Sequence, residues 1–393
     1  MPPRFDPERG VRASLRGLQP YTPVEPPEAM AASYGVPLDR LVKLDANENP
    51  YGPSPRARAA LALDYGAHRY PDPDQRRLRD ALARRHNVSP ETIVAGAGSD
   101  EIIDLLFRTY VEEGDRIVIA SPTFGMYAFD AGLHGATVVD VPLHDDWSLD
   151  ADALLAEAAR VKAVFIPSPN NPTGRTLPRD LADALLASGA LLVLDEAYIE
   201  FSHAESLVAR AAAGDPLVVL RTFSKWAGLA GLRVGYGVMP QAVAHTLMQV
   251  KQPYSVSVAA EVAALASLED AALLDERACA ITGERDRMAD AMRATGWLDP
   301  APSEANFLLV RMQSPLVRSL SKGAAEGDTE TASDAVVMRE ALRRRGVFVR
   351  VFDHPRLRHH LRISTGTSED TDRVLAAFIE AGEEIQVRNE AAR

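Results

Sequence analysis

Cysteine is all but absent from this chain: Cys279 stands alone among 393 residues. That excludes an internal disulfide and any metal site built on several thiolates, and it suits a reducing compartment. Long apolar runs are also missing, since the stretch 184–194 falls well short of the ~20 residues that a membrane-spanning helix requires. Residues 1–7 carry acid and proline where an export signal needs an uninterrupted apolar region, so a soluble, cytoplasmic protein is expected. Positive charge is outweighed: 43 Lys and Arg against 55 Asp and Glu give a net charge of -12. No global field exists to gather phosphate backbones or anionic lipid, and neither nucleic acid nor a membrane is an expected partner. The rest of the composition, 46% hydrophobic and 25% charged, is that of an ordinary globular protein with length for two domains or three.

Pro20, Pro23, Pro26, Pro27 and Pro37 interrupt regular structure near the start, and residues 1–46 are expected to form an arm lying on the small domain and on a partner subunit. From about Glu91, short β-branched runs alternate with helical stretches. The runs fall at 92–95, 116–120, 137–139, 163–166, 191–194 and 217–220. Their near-continuous apolar character predicts an α/β fold with a mostly parallel central sheet between helices. A long helical region at 241–295 closes this large domain, which spans 47–295. Residues 296–393 read as a smaller α+β domain, with strands near 306–310, 347–351 and 361–364 and helices near 335–345 and from about 370. The segment 313–334, rich in Ser, Thr and Gly, reads as a polar surface loop. Arg76-Arg77 and Arg343-Arg344-Arg345 read as solvated helix faces.

Ligands of open α/β sheets bind at the carboxyl ends of the strands, so the residues following each run are the informative ones. Gly96-Ala97-Gly98-Ser99-Asp100, placed before a helical stretch, offers close backbone approach and free N–H groups at a helix N-terminus, which together suit a phosphate. It matches neither the dinucleotide fingerprint nor the P-loop. Phe124 follows the second run and offers a ring on which a planar heterocycle can stack. Asn171 follows the fourth and supplies an amide donor. Asp195 ends the fifth, with the phenol of Tyr198 three residues on, and Thr222-Phe223-Ser224-Lys225 follows the sixth. Phosphate donors, a stacking ring, an acid, a phenol, an amide and a lysine nucleophile are the set that pyridoxal phosphate needs. The lysine forms a Schiff base with the cofactor, and the aspartate keeps the ring nitrogen protonated so that the ring accepts electrons from a carbanion.

These residues stand in longer segments: Asp45-Ala46-Asn47-Glu48-Asn49-Pro50, Arg69-Tyr70-Pro71-Asp72, Asn170-Asn171-Pro172-Thr173-Gly174, Asp195-Glu196-Ala197-Tyr198, Ser224-Lys225 with Gly231-Leu232-Arg233, and Leu361-Arg362-Ile363-Ser364. In this order, and nearly end to end, the chain resembles the histidinol-phosphate aminotransferase family of the fold-type I, class I/II pyridoxal-phosphate aminotransferases. The resemblance implies that Lys225 holds the cofactor and later shuttles the proton at the α-carbon. Asp195 would pair with the pyridinium nitrogen, and Tyr198 and Asn171 would bond the phenolic oxygen. Phe124 would stack on the ring, where the family usually has tyrosine. Ser99 and Asp100 would hold the cofactor phosphate, with side-chain contacts from Thr222, Ser224 and Arg233, while Tyr51 would reach it from the other subunit of a homodimer. Arg362 would bind the carboxylate of glutamate or 2-oxoglutarate, and Arg350, Tyr21 and Asn170 the distal phosphate of the amino donor.

The implied reaction is a ping-pong transfer from L-histidinol phosphate to 2-oxoglutarate, giving imidazole acetol phosphate and glutamate in histidine biosynthesis. An aromatic-amino-acid aminotransferase and a phosphothreonine decarboxylase are the alternatives on the same scaffold. A ligand-binding regulator would need a DNA-binding module, and a nicotinamide oxidoreductase a glycine fingerprint followed by an acid; the sequence offers neither. Asp353, His354, His359 and His360 are metal-ligand types, but Arg356 and Arg358 make that stretch cationic, and no metal is expected.

Overall fold

A computed structural model of the chain describes residues 6, 10–12, 15–18, 23–313 and 333–391. In chain order its strands are β1 (Val42–Leu44), β2 (Ile93–Gly96), β3 (Arg116–Ile119), β4 (Thr137–Asp140), β5 (Ala163–Pro167), β6 (Leu191–Asp195), β7 (Leu217–Thr222), β8 (Gly235–Val238), β9 (Leu298–Pro300), β10 (Phe307–Met312), β11 (Val347–Val349) and β12 (His360–Ser364). Seven of them form one sheet in the order β2-β8-β7-β6-β5-β3-β4. Its members are parallel except β8, which runs against both neighbours.

Alternate residues of the central strands feed two apolar layers. Leu192 and Leu194 of β6, with Val164 and Ile166 of β5, pack on one face. Val193 and Phe165 pack on the other, with Val218 of β7. Both faces are therefore covered, which is why these strands read as unbroken apolar runs.

Besides β1 and β9, which lie outside the large sheet, the strand that the sequence pattern does not reveal is β8. Gly235 and Gly237 break its apolar run, and packing requires them. A Cβ on Gly235 would lie 2.5 Å from the Ser99 backbone nitrogen and 2.7 Å from the Gly98 carbonyl carbon, so the helix Ser99–Tyr110 seats its first turn directly on this thin strand. The predicted helical region at 241–295 is three helices, Gln241–Val250, Val258–Glu269 and Ala271–Ala294. Pro253 and the left-handed Tyr254 (φ 66°) lie in the first break, and Ser257 caps the second helix by accepting the Ala260 N–H.

A second, smaller unit is built on β10, which pairs antiparallel with β9 and β12. The end of the proline-rich segment joins it: β1 lies parallel to β11, and Val42 and Leu44 share an apolar cluster with Met288, Leu308, Val349 and Phe378. The arm also holds a short helix, Pro27–Tyr34, with its proline in the first turn where the missing N–H costs nothing, and Gly35 ends it in the left-handed conformation at φ 64°. Residues 314–332 of the predicted polar loop lie outside the described residues. Among the described residues no helix is long and apolar enough to cross a membrane.

Candidate active site

A cavity of about 900 Å³ opens at the carboxyl edge of the large sheet, where the smaller unit faces it. Most of its lining comes from residues that follow a strand. Because β8 runs antiparallel, Arg233, which precedes it, arrives at the same edge.

One end of the cavity is an anion cradle. Ser99 begins a helix whose first N–H groups are free of intrahelical partners, and Gly98 before it adopts φ 85°. A Cβ on Gly98 would come within 2.7 Å of Arg233 Nη2, so the backbone and the guanidinium share a space that only glycine leaves open. Arg233 donates to Asp100 at 2.9 Å and to Ser224 Oγ at 3.4 Å, and Thr222 Oγ1 donates to Ser224 Oγ at 2.9 Å. Four of the predicted phosphate residues thus meet in one hydrogen-bonded group beside Ser99.

Deeper in the cavity, Asp195 ends β6 with its carboxylate fixed from two sides. Tyr127 donates to Oδ2 at 2.9 Å and the Ala197 N–H to Oδ1 at 3.0 Å. Burial raises this carboxyl to about 6, against the lowering effect of those two donors. Tyr127 is fully buried, and its own phenol is pushed well above its ordinary value by burial and by the Asp195 charge. Sequence reasoning passed over Tyr127, although its place three residues after Phe124 was a usable signal. The two rings meet edge to face at 5.6 Å.

Lys225 lies between these ends. Its Nζ donates to the Ala46 carbonyl at 3.0 Å and sits 5.7 Å from the centre of the Tyr198 ring. Burial, with the positive charge of Arg362 and Arg233, brings the amine down to about 8. The residues flanking Ala46 are equally engaged: the Asp45 carbonyl accepts from Arg362 Nη2 at 2.6 Å, and Asn47 Nδ2 donates to the Tyr198 hydroxyl at 3.0 Å. Three consecutive residues after β1 thus touch the predicted substrate arginine, the lysine and the phenol. Asn47 is a second residue the sequence reading did not single out.

Arg350 and Arg362 stand on the wall toward the smaller unit. Each donates its backbone N–H to the other's carbonyl, at 3.0 and 2.9 Å, which fixes them as a directly opposed antiparallel pair. Their guanidinium carbons lie 5.9 and 5.5 Å from the Phe352 ring, a third residue missed in the sequence. Arg362 Nη1 also donates to Asn171 Oδ1 at 2.7 Å.

Two of the predicted residues that the structure describes are not among those lining this cavity. Asn170 is buried with both amide hydrogens committed, to the Pro122 carbonyl at 3.0 Å and Thr173 Oγ1 at 2.8 Å, while its Oδ1 accepts from Thr123. It braces the turn, with both side-chain N–H groups engaged there. Tyr51 is not among the lining residues and instead has the Arg277 guanidinium 5.7 Å from its ring. Tyr21 lies outside the described residues. Of the histidines considered as metal ligands, His359 pairs with Asp334 at 2.5 Å, His360 is buried edge-on to Trp147, and His354 Nδ1 accepts the Arg356 N–H.

Residues 39–378 match the family model for aminotransferase class I and II. A histidinol-phosphate aminotransferase of Roseiflexus castenholzii is 46% identical over 375 residues, covering 93% of this chain and 96% of that relative. The chloroplastic histidinol-phosphate aminotransferase 1 of Arabidopsis thaliana is 42% identical over 92% of this chain and 83% of its own length. This chain belongs to the class I and II aminotransferases, in the histidinol-phosphate aminotransferase family. The crystal structure of histidinol-phosphate aminotransferase from Sinorhizobium meliloti in complex with pyridoxal-5'-phosphate superimposes with a TM-score of 0.82 at 28% identity, covering 97% of this chain and 98% of that one.

Pyridoxal phosphate is the cofactor of these aminotransferases, and the donor set here fits it. The cavity offers an anion cradle that a Cβ on Gly98 would fill, a buried carboxylate suited to a cationic ring nitrogen, and a desolvated amine between them. The amine gives a first test. The cofactor-free form of this aminotransferase is expected to capture added pyridoxal phosphate at a rate that rises with pH and levels off above about 8, where Lys225 is already neutral. A rate still climbing toward pH 10, as for an ordinary lysine of pKa about 10.4, would contradict a depressed amine.

Proposed function

We propose that this aminotransferase moves the amino group of L-histidinol phosphate to 2-oxoglutarate, as a cytoplasmic homodimer serving histidine biosynthesis. The observation that carries the reading is the Arg350–Arg362 pair, two guanidinium groups held in fixed register on the cavity wall. The names of the relatives matched over most of the chain support it.

Pyridoxal phosphate, when bound, supplies an aldehyde that takes up amino groups and a ring that accepts the electron pair released at the α-carbon. Ser99, Asp100, Thr222, Ser224 and Arg233 would hold its phosphate. Asp195, kept as an acceptor by Tyr127 and Ala197, would pair with the ring nitrogen, and Phe124 would stack on the ring. Tyr198 and Asn171 would bond the phenolic oxygen. Lys225 would hold the cofactor and would carry the α-carbon proton, a role that its depressed basicity suits. Arg362 receives the donor's phosphate in one half-reaction and the carboxylate of 2-oxoglutarate in the other, a task that suits a planar fork. Arg350 adds a second cation for the phosphate.

Tyr51 serves the site of the second subunit. Its absence from the cavity of its own chain supports this, as do the exposed apolar side chains Leu63, Tyr70 and Tyr254, which a partner subunit would cover. Sedimentation equilibrium is expected to give twice the mass of the chain, and a monomer at assay concentrations would remove the basis for the role of Tyr51.

Substrate choice is tested by steady-state assay of L-histidinol phosphate, L-phenylalanine and O-phospho-L-threonine, in the parent protein and in Arg350→Gln. Histidinol phosphate is expected to give the highest kcat/KM and to lose about tenfold or more in Arg350→Gln, the cost of one charge-assisted hydrogen bond, with glutamate little affected. Preference for phenylalanine, or equal losses for both substrates, would contradict the assignment.

A further inference from the structure

A phenol hydroxyl both donates and accepts, so a tyrosine near the cofactor's phenolic oxygen helps only if its proton points there. The hydrogen bonds behind Tyr198 determine its direction. Ser364 Oγ accepts the backbone N–H of Asn47 at 2.8 Å and donates its own proton to Asn47 Oδ1 at 3.0 Å. The Asn47 amide is thereby held in one orientation, with Nδ2 turned to the Tyr198 hydroxyl at 3.0 Å. An amide NH2 group only donates, so the Tyr198 oxygen accepts at that contact and its proton is directed away from Asn47. Tyr198 lines the cavity.

The arrangement is rigid. Asn47 and Ser364 are each 1% exposed, and Asn306 Nδ2 donates to the Asn47 carbonyl at 3.2 Å. Asn47 holds a left-handed backbone at φ 53°, a conformation that asparagine tolerates better than most residues. Ser364 lies two residues beyond Arg362 on β12.

We propose that Ser364 and Asn47 form a one-way hydrogen-bond relay that sets Tyr198 as a donor into the cofactor cavity, which makes Asn47 a positioning residue for the phenolic oxygen. The inference rests on the reading of Tyr198 given under Proposed function. It also ties the phenol to the strand that carries the substrate arginine. Accepting a bond from Asn47 makes the Tyr198 hydroxyl a stronger donor, because hydrogen bonds in a chain polarise one another.

The readout is the pH midpoint of the visible absorption change of the cofactor-loaded protein, measured without substrate. Donation to the phenolic oxygen stabilises its ionised form, so losing that donation makes the neighbouring proton persist to higher pH. Tyr198→Phe is expected to raise the midpoint by about one pH unit, the scale of one hydrogen bond to a charged oxygen. Asn47→Asp presents an acceptor to the phenol and draws its proton from the cavity, so a rise of similar size is expected. Asn47→Gly removes the donor in a backbone conformation that suits glycine and should give a smaller rise; it carries the test if the aspartate variant loads poorly.

Neither substitution at Asn47 should move the midpoint further once Tyr198 is phenylalanine, since the relay acts through that hydroxyl. A shift from Asn47→Asp that is equal in both backgrounds would overturn the proposal in favour of a simple charge effect. So would unmoved midpoints in both Asn47 variants alongside a shifted Tyr198→Phe. An unmoved midpoint in Tyr198→Phe itself would instead overturn the placement of Tyr198 at the cofactor, and the relay with it.

Discussion

The amine of Lys225 is held away from water, against the Ala46 carbonyl and in the field of two guanidinium groups, and much of the molecule is arranged to keep it there. A solvated lysine is protonated near neutrality and is a poor nucleophile; burial and the charges of Arg362 and Arg233 reduce that handicap. Maintaining the geometry requires parts that are distant in sequence. β7 carries the chain to Thr222 and Lys225 at the sheet edge, β1 delivers the Asp45–Asn47 strap from the other unit, and β12 delivers Arg362. The strap is the joint among them, because its three residues touch Arg362, Lys225 and Tyr198 in succession.

Behind the strands, a buried polar network anchors the ends that carry the chemistry. Arg221, next to Thr222, pairs with Glu196 at 3.2 Å and with Glu200 at 2.6 Å, and Ser206 donates to Glu196. Glu196 directly follows Asp195, so the ends of β6 and β7 are clamped on the face away from the cavity. His86 extends this polar layer through a 2.7 Å hydrogen bond to Tyr236 of β8, and burial and the Arg221 charge push its imidazole down to about 3, keeping it neutral. Such a group is costly to leave half satisfied and rigid when complete.

Much of this was legible in the chain because apolar runs followed by chemically distinctive residues mark the carboxyl ends of parallel strands. Asp195, Thr222, Ser224 and Lys225 each stand where the run ends. What escaped notice did so for physical reasons. β8 is hidden because Gly235 and Gly237, needed for close packing, erase its apolar pattern. Of the adjacent amides Asn170 and Asn171, only the turn geometry decides which lines the cavity. Asn47 acts through a tyrosine 151 residues away, a relation no local pattern encodes. The run Arg343-Arg344-Arg345 reads as a solvated face, yet the Arg343 guanidinium carbon lies 5.6 Å from the Tyr34 ring and 5.9 Å from that of Phe348, while Arg345 pairs with Glu380 and Glu384. Tertiary packing turned a run of charges into joints between helices.

The most direct measurement is to reduce the cofactor-loaded protein with borohydride, digest it, and locate the modified lysine by mass spectrometry. Modification confined to Lys225 is the expected result, since among the described residues its amine alone combines depressed basicity with a place in the cavity wall. Modification of Lys251, a buried lysine that donates to Gln75 at 3.1 Å, would contradict the site described here.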